Sequence, residues 1–141
     1  MWEYEYSAET SVPAEAIWKL WADVEGWGAW DAGLAKVYID GPFAVGSTIT
    51  MAAADPDPDP VRVRIAELVD GELFVDEADF DGVLIRTIHR LDRLGGDRIR
   101  VRYRTEITGP AADQVGPELG PAITGDFPAK VAALLALAEG R

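Results

Sequence analysis

Phe127-Pro128-Ala129-Lys130-Val131-Ala132-Ala133-Leu134-Leu135-Ala136-Leu137-Ala138 carries apolar residues at helical spacing: Phe127, Val131, Leu134, Leu135 and Ala138 fall at i, i+4, i+7, i+8 and i+11. Residues so spaced share one face of a helix. A long run of strand-like segments precedes this stretch, so the helix must lie across an antiparallel sheet to hide its stripe. The sheet positions that face it include polar side chains as well as aliphatic ones, which predicts a cavity under the helix and not a solid core.

Working back from that helix, the chain alternates strand patterns with turn signals: Leu34 to Ile39, Ser47 to Ala53, Val61 to Val69, Leu73 to Phe80, Val83 to Leu94 and Arg98 to Thr108. Short connections between them imply an antiparallel meander. Reading Gly95-Gly96-Asp97 as a three-residue loop pairs Leu94 with Arg98, and then Leu91 with Val101, His89 with Tyr103, Thr87 with Thr105 and Ile85 with Ile107. The outer face of the same register sets Asp92 against Arg100 and Arg86 against Glu106, which opposite charges favour. Asp81-Gly82 as a two-residue turn pairs Phe80 with Val83, Asp76 with Thr87 and Phe74 with His89. The segment Gly109 to Pro121, rich in proline and glycine, reads as a connection into the last helix. Pro128 either begins the regular part of that helix or kinks a longer one.

Ahead of the meander, Trp2, Tyr4 and Tyr6 alternate along a first strand. Pro13 suits the first turn of a helix carrying Ala14, Ile17, Leu20 and Trp21, with Ser11 or Val12 near its cap. Gly26 and Gly28 interrupt a second helical turn holding Trp27 and Trp30. The expectation is therefore a single α+β domain over residues 1–141: a first strand, two short helices, an antiparallel meander of six further strands and a C-terminal helix lying across the sheet.

The composition narrows the partners. Thirteen Lys plus Arg against 25 Asp plus Glu give a net charge of −12, which disfavours nucleic acid and anionic lipid surfaces. No cysteine is present, so disulfides and thiolate chemistry are excluded and a reducing, cytoplasmic location is expected. The acidic, alternating N-terminus is unlike a secretory signal. The longest uninterrupted apolar run, Val131 to Ala138, falls short of the roughly 18 residues of a membrane span, so no membrane insertion is expected.

The order strand, two short helices, meander, long terminal helix, together with the Ile17-to-Asp31 segment and the Tyr103-to-Pro110 stretch, resembles the START-like superfamily (polyketide cyclase/dehydrase and lipid transport, SRPBCC, Bet v 1-like). The resemblance implies a helix-grip fold, in which a seven-stranded curved antiparallel sheet wraps around a long C-terminal helix and leaves a deep cavity for a hydrophobic or aromatic small molecule. Members include lipid carriers, hormone-binding proteins and cyclases, so the resemblance speaks to architecture more than to activity.

Within that frame the inner surface gathers Phe74, Asp76, Ile85, Thr87, His89, Tyr103 and Thr105, with Phe127 and Val131 facing it from the helix and Trp30 near the mouth. These are the expected ligand-binding positions. His89, the only histidine, either works as a general acid or base beside Asp76 or is a histidine hydrogen-bonded at the cavity rim. A dry Asp76 needs His89, Thr87 or water as a partner. Thr87, Thr105 and Tyr103 either orient a polar group of the ligand or are ordinary strand formers. Trp18 and Trp21 read as packing residues. The arginines from Arg62 to Arg104 alternate onto the outer sheet face among Glu77, Asp92 and Glu106, a solvated and partly paired surface. The Asp55-to-Pro60 run reads as a stiff exposed loop, since its prolines spread the carboxylates apart. Gly41 to Thr48 lacks the lysine of a phosphate loop. No metal site and no cofactor are expected. Two functions follow: binding or carriage of a hydrophobic or aromatic molecule, or cyclase, aromatase or dehydratase chemistry with His89 and Asp76 moving protons.

Overall fold

The computed structural model describes residues 1–53, 60–80 and 82–140. Strand β1 (Trp2–Thr10) is followed by helix α1 (Ala14–Ala22), a 3₁₀ helix (Val24–Ala29), strands β2 (Leu34–Ile39), β3 (Thr48–Ala53), β4 (Val61–Val69), β5 (Leu73–Phe80), β6 (Val83–Gly95) and β7 (Arg98–Thr108), and helices α2 (Ala112–Thr124) and α3 (Phe127–Ala138). The seven strands form one antiparallel sheet in the order β1-β7-β6-β5-β4-β3-β2. The helix-grip expectation holds in its element order and in its sheet.

Register follows the face chemistry. His89 pairs with Tyr103, Thr87 with Thr105 and Ile85 with Ile107, while Asp92 opposes Arg100 and Arg86 opposes Glu106 on the outer side. The turn itself differs from the three-residue reading. Gly95 pairs with Arg98, and the register shifts between Arg93 and Gly95. Gly95 and Gly96 both have positive φ, which lets a tight turn and a neighbouring irregularity occupy the length of the expected loop. The β5–β6 pairing of Phe80 with Val83 is present, although Asp81 lies outside the described residues, as does the Asp55-to-Asp59 part of the proline-rich loop.

Two expectations about helices change. Pro13 sits at the N-cap of α1 and its carbonyl accepts from Ala16 and Ile17, with no side-chain cap at Ser11 or Val12; the Val12 N–H is instead held by Thr10 Oγ1 at 3.1 Å. The Gly109-to-Pro121 segment is not a mere connection: most of it is α2, with Pro117 and Pro121 inside the helix. Gly116 and Gly120, one helical turn apart, let α2 lie directly on the Trp2 ring; a methyl at Gly116 would stand 2.6 Å from Trp2 Cβ. Pro128 begins α3, the first of the two roles open to it.

The helical stretch Ala112–Ala138 is long and apolar enough to cross a membrane by length and composition alone, more than the Val131-to-Ala138 run suggested. Turn residues break it between α2 and α3, and its inward face is committed to the sheet: Ala112 packs with Val83 and Ile107, while Phe127, Val131 and Leu134 join the main core with Trp21, Phe74 and Tyr103. Alternation along β4 to β7 sends arginines and acids to the convex side, where they pair. Arg86 bonds Glu77 at 2.7 Å and also Glu67, Arg102 meets Asp92 at 2.6 Å, and Arg104 meets Glu106 at 2.9 Å and Glu3 at 2.6 Å.

Candidate functional site

Strand pairing builds the site in rows across the concave face. Phe74, His89 and Tyr103 form one row, Asp76, Thr87 and Thr105 the next, and Ala78, Ile85 and Ile107 the third. Between these rows and the helices lies a cavity of ≈ 170 Å³. An apolar cavity of about 150 Å³ accommodates benzene, so this space matches a single ring with a few further atoms. Its wall includes Trp21, Trp27, Trp30, Phe74 and Phe127, with Asp76, Thr87, His89, Tyr103 and Lys130 as the polar members.

Of the ten ligand-binding positions read from sequence, the structure places Phe74, Asp76, Ile85, Thr87, His89, Tyr103, Trp30 and Phe127 on the cavity wall. Thr105 and Val131 are not on it. Thr105 is fully buried, its hydroxyl 3.0 Å from that of Thr87, and Val131 is packed into the core beside Leu134. Trp21, read from sequence as a packing residue, both packs and lines the cavity.

His89 sits in an aromatic cage. It stacks on Phe74 with ring centroids 4.4 Å apart and meets Tyr103 edge-on at 4.8 Å and Trp21 at 5.7 Å. Its Nδ1 lies 3.0 Å from the Phe74 carbonyl oxygen. A carbonyl only accepts, so Nδ1 carries the proton and Nε2 the lone pair. Burial holds the imidazole down at about 3, against a smaller opposite pull from the Phe74 hydrogen bond, and repulsion from the Lys130 ammonium lowers it further. His89 is thus neutral throughout the physiological range and cannot serve as a cationic acid.

Asp76 is the opposite case. Burial pushes its carboxyl up to about 7; the Lys130 charge pulls it down and Glu77 adds to the rise. No hydrogen bond reaches Asp76 among the described residues. The expected Asp76–His89 relay is therefore not formed: the Phe74 carbonyl holds His89 Nδ1, Thr87 meets Thr105, and no hydrogen bond joins Asp76 to either residue. Tyr103, fully buried, accepts a hydrogen bond from Trp21 Nε1 at 3.1 Å, and burial raises its phenol above the ordinary range.

Lys130 is the residue that the sequence reading missed. Its Nζ lies 3.3 Å from Asp31 and 3.6 Å from Asp126, and 5.6 Å from the Phe127 ring centroid. The signal was present: Phe127, Lys130, Val131 and Leu134 stand at i, i+3, i+4 and i+7, so the lysine lies on the stripe that faces the sheet. Chemically, the site offers a ring-sized apolar space, one fixed neutral acceptor, one carboxyl that titrates near neutrality, and one ammonium. Among the described residues no group of three or more His, Cys, Asp or Glu is arranged to hold a metal ion.

No protein-family model and no curated protein sequence matches the chain. Solved structures do. An aromatase/cyclase from Streptomyces sp. R1128 aligns with a TM-score of 0.78 at 17% identity, covering 97% of this chain and 93% of its own. Norcoclaurine synthase from Thalictrum flavum aligns at 0.77 and 16% identity, over 99% and 87%. A START superfamily protein from Mycobacterium smegmatis aligns at 0.74 and 12% identity, over 98% and 97%. The chain has the helix-grip fold of START-like and Bet v 1-like proteins.

Proposed function

We propose that this protein binds a hydrophobic or aromatic small molecule of single-ring size between the C-terminal helices and the concave face of the sheet. The observation that carries the reading is the ≈ 170 Å³ cavity, walled mainly by aromatic and aliphatic side chains and holding an unpartnered carboxyl. Ligand sites commonly combine such a lining with a few placed polar groups. The volume favours one ring over a lipid cargo. Among proteins of similar fold, norcoclaurine synthase has been crystallised with dopamine and hydroxybenzaldehyde, both single-ring compounds.

Trp21, Trp27 and Trp30 on the cavity wall make binding visible in intrinsic fluorescence. The test is a titration with toluene and other single-ring aromatics on the native chain and on Ala78→Phe. The new ring fills the space and leaves the cavity's polar groups in place. Saturable binding to the native chain, weakened at least tenfold in the variant, is the expected result. No saturation with any compound, or equal affinity in both chains, overturns the reading.

A second reading, turnover of cyclase, aromatase or dehydratase type, is favoured by one observation: a carboxyl held near pH 7 in a cavity is matched to proton transfer at neutral pH. In that reading Asp76 carries the proton and His89 serves as a fixed acceptor, in place of the expected relay between them. Turnover of an identified substrate that survives Asp76→Asn unchanged rules it out.

A further inference from the structure

His89 presents one polar atom to the cavity that nothing among the described residues satisfies. The residue is buried, with 9% of its surface exposed, and it forms part of the cavity wall. Nδ1 donates to the Phe74 carbonyl. Nε2 makes no hydrogen bond among the described residues, yet it is not one of the fully occluded side-chain atoms that lack one. Its remaining surface therefore opens onto the cavity.

The hydrogen bond to Phe74 and the stacked ring fix both the tautomer and the orientation of the imidazole. A buried acceptor held in this way selects for a ligand that brings a donor, because an analogue lacking one leaves the lone pair desolvated and unpaired. We propose that His89 Nε2 is the specificity-determining acceptor of the site, and that the ligand class is a neutral single-ring compound carrying a hydroxyl donor, a phenol. The other polar groups of the cavity wall do not take this atom: no hydrogen bond joins it to Tyr103, Thr87, Asp76 or Lys130 among the described residues, and Tyr103 and Thr87 have partners of their own in Trp21 and Thr105. The inference rests on the ring-binding reading above.

The chain has a single histidine, so one pair of imidazole ¹⁵N resonances reports on the proposed contact without assignment ambiguity. The experiment adds phenol and, separately, toluene to the ¹⁵N-labelled native protein. Binding is followed by tryptophan fluorescence and the ring nitrogens by long-range ¹H–¹⁵N correlation. Both probes should bind, with phenol alone moving the unprotonated Nε2 signal upfield as it accepts a hydrogen bond. In His89→Phe, which keeps the stacked ring and removes the acceptor, the affinity for phenol relative to toluene should fall by roughly tenfold.

If both probes bind and Nε2 stays where it was, or if the ratio is unchanged in a folded variant, the acceptor role is overturned and the ring-binding reading survives. If neither probe binds, both fall together. The native-protein resonance decides the matter even if the variant does not fold.

Discussion

Asp76 and Glu77 are neighbours on β5 that face opposite sides of the sheet. On the convex side Glu77 accepts from Arg86 at 2.7 Å and from Arg64 at 3.3 Å, within a surface where nearly every acid has an arginine across the strand. On the concave side Asp76 accepts nothing among the described residues and is pushed up to about 7 by burial. One strand thus carries a carboxylate whose charge is accommodated and another whose charge is penalised. The convex pairing engages its members with one another; the concave face leaves Asp76 and His89 Nε2 without a hydrogen-bond partner among the described residues, on the wall of the cavity.

The sharpest way to break this comparison is the pH dependence of stability. For Asp76 the folded-state value of about 7 lies above the ordinary 3.8, so its stabilising contribution is complete below 3.8 and is lost as pH rises towards 7. His89, at about 3 against 6.5, behaves in reverse: its contribution is complete above 6.5 and is lost as pH falls towards 3. Each slope is about 1.4 kcal/mol per pH unit, and across the overlapping window the two oppose each other. Asp76→Asn removes one of them. The variant should gain on the native chain by about 4 kcal/mol between pH 4 and 7 in urea denaturation. A difference that stays constant with pH would mean that burial does not penalise the Asp76 charge.

The next effect tests how tightly the concave polar groups are held. Tyr103→Phe removes the acceptor of the buried Trp21 Nε1–H and should cost about 1–3 kcal/mol, the penalty of an unpaired buried donor. A loss below a few tenths of a kcal/mol would show that the indole finds another partner and that the row of His89 is less fixed than its geometry indicates.

The two faces were unequally legible in the sequence, and for physical reasons. Alternation has a period of two, so once the Arg86–Glu106 and His89–Tyr103 pairs agreed the β6–β7 register followed, and the two-residue reading of Asp81-Gly82 carried it to β5 and to the side on which Asp76 lies. What alternation does not carry is the direction of a hydrogen bond. His89 and Asp76 share a face, but whether they touch depends on side-chain torsions, and the Phe74 carbonyl captured the imidazole first. The α2 helix was obscured for another reason: its glycines and prolines disfavour a helix locally, and only contact with Trp2, distant in sequence, makes residues without side chains the right choice at 116 and 120. Lys130 was hidden in plain composition, one charge on an otherwise apolar stripe.

The smallest effect is expected on the convex face, and it bounds the comparison from the other side. Arg64 and Asp79 lie 2.8 Å apart with side chains 46% and 74% exposed. At that exposure, attraction through water is offset by the entropy of ordering two long side chains, so a double-mutant cycle should return roughly 0.2–1 kcal/mol. In 1 M salt, where screening acts over about 3 Å, the coupling should fall towards zero. The Asp76→Asn effect should persist in the same buffer, because mobile ions do not reach a carboxyl enclosed by protein. If salt abolished both, the carboxyl would be reporting solvent and not a cavity. If it abolished neither, the convex ladder would be a buried network in its own right, and the contrast between the two neighbours on β5 would lose its physical basis.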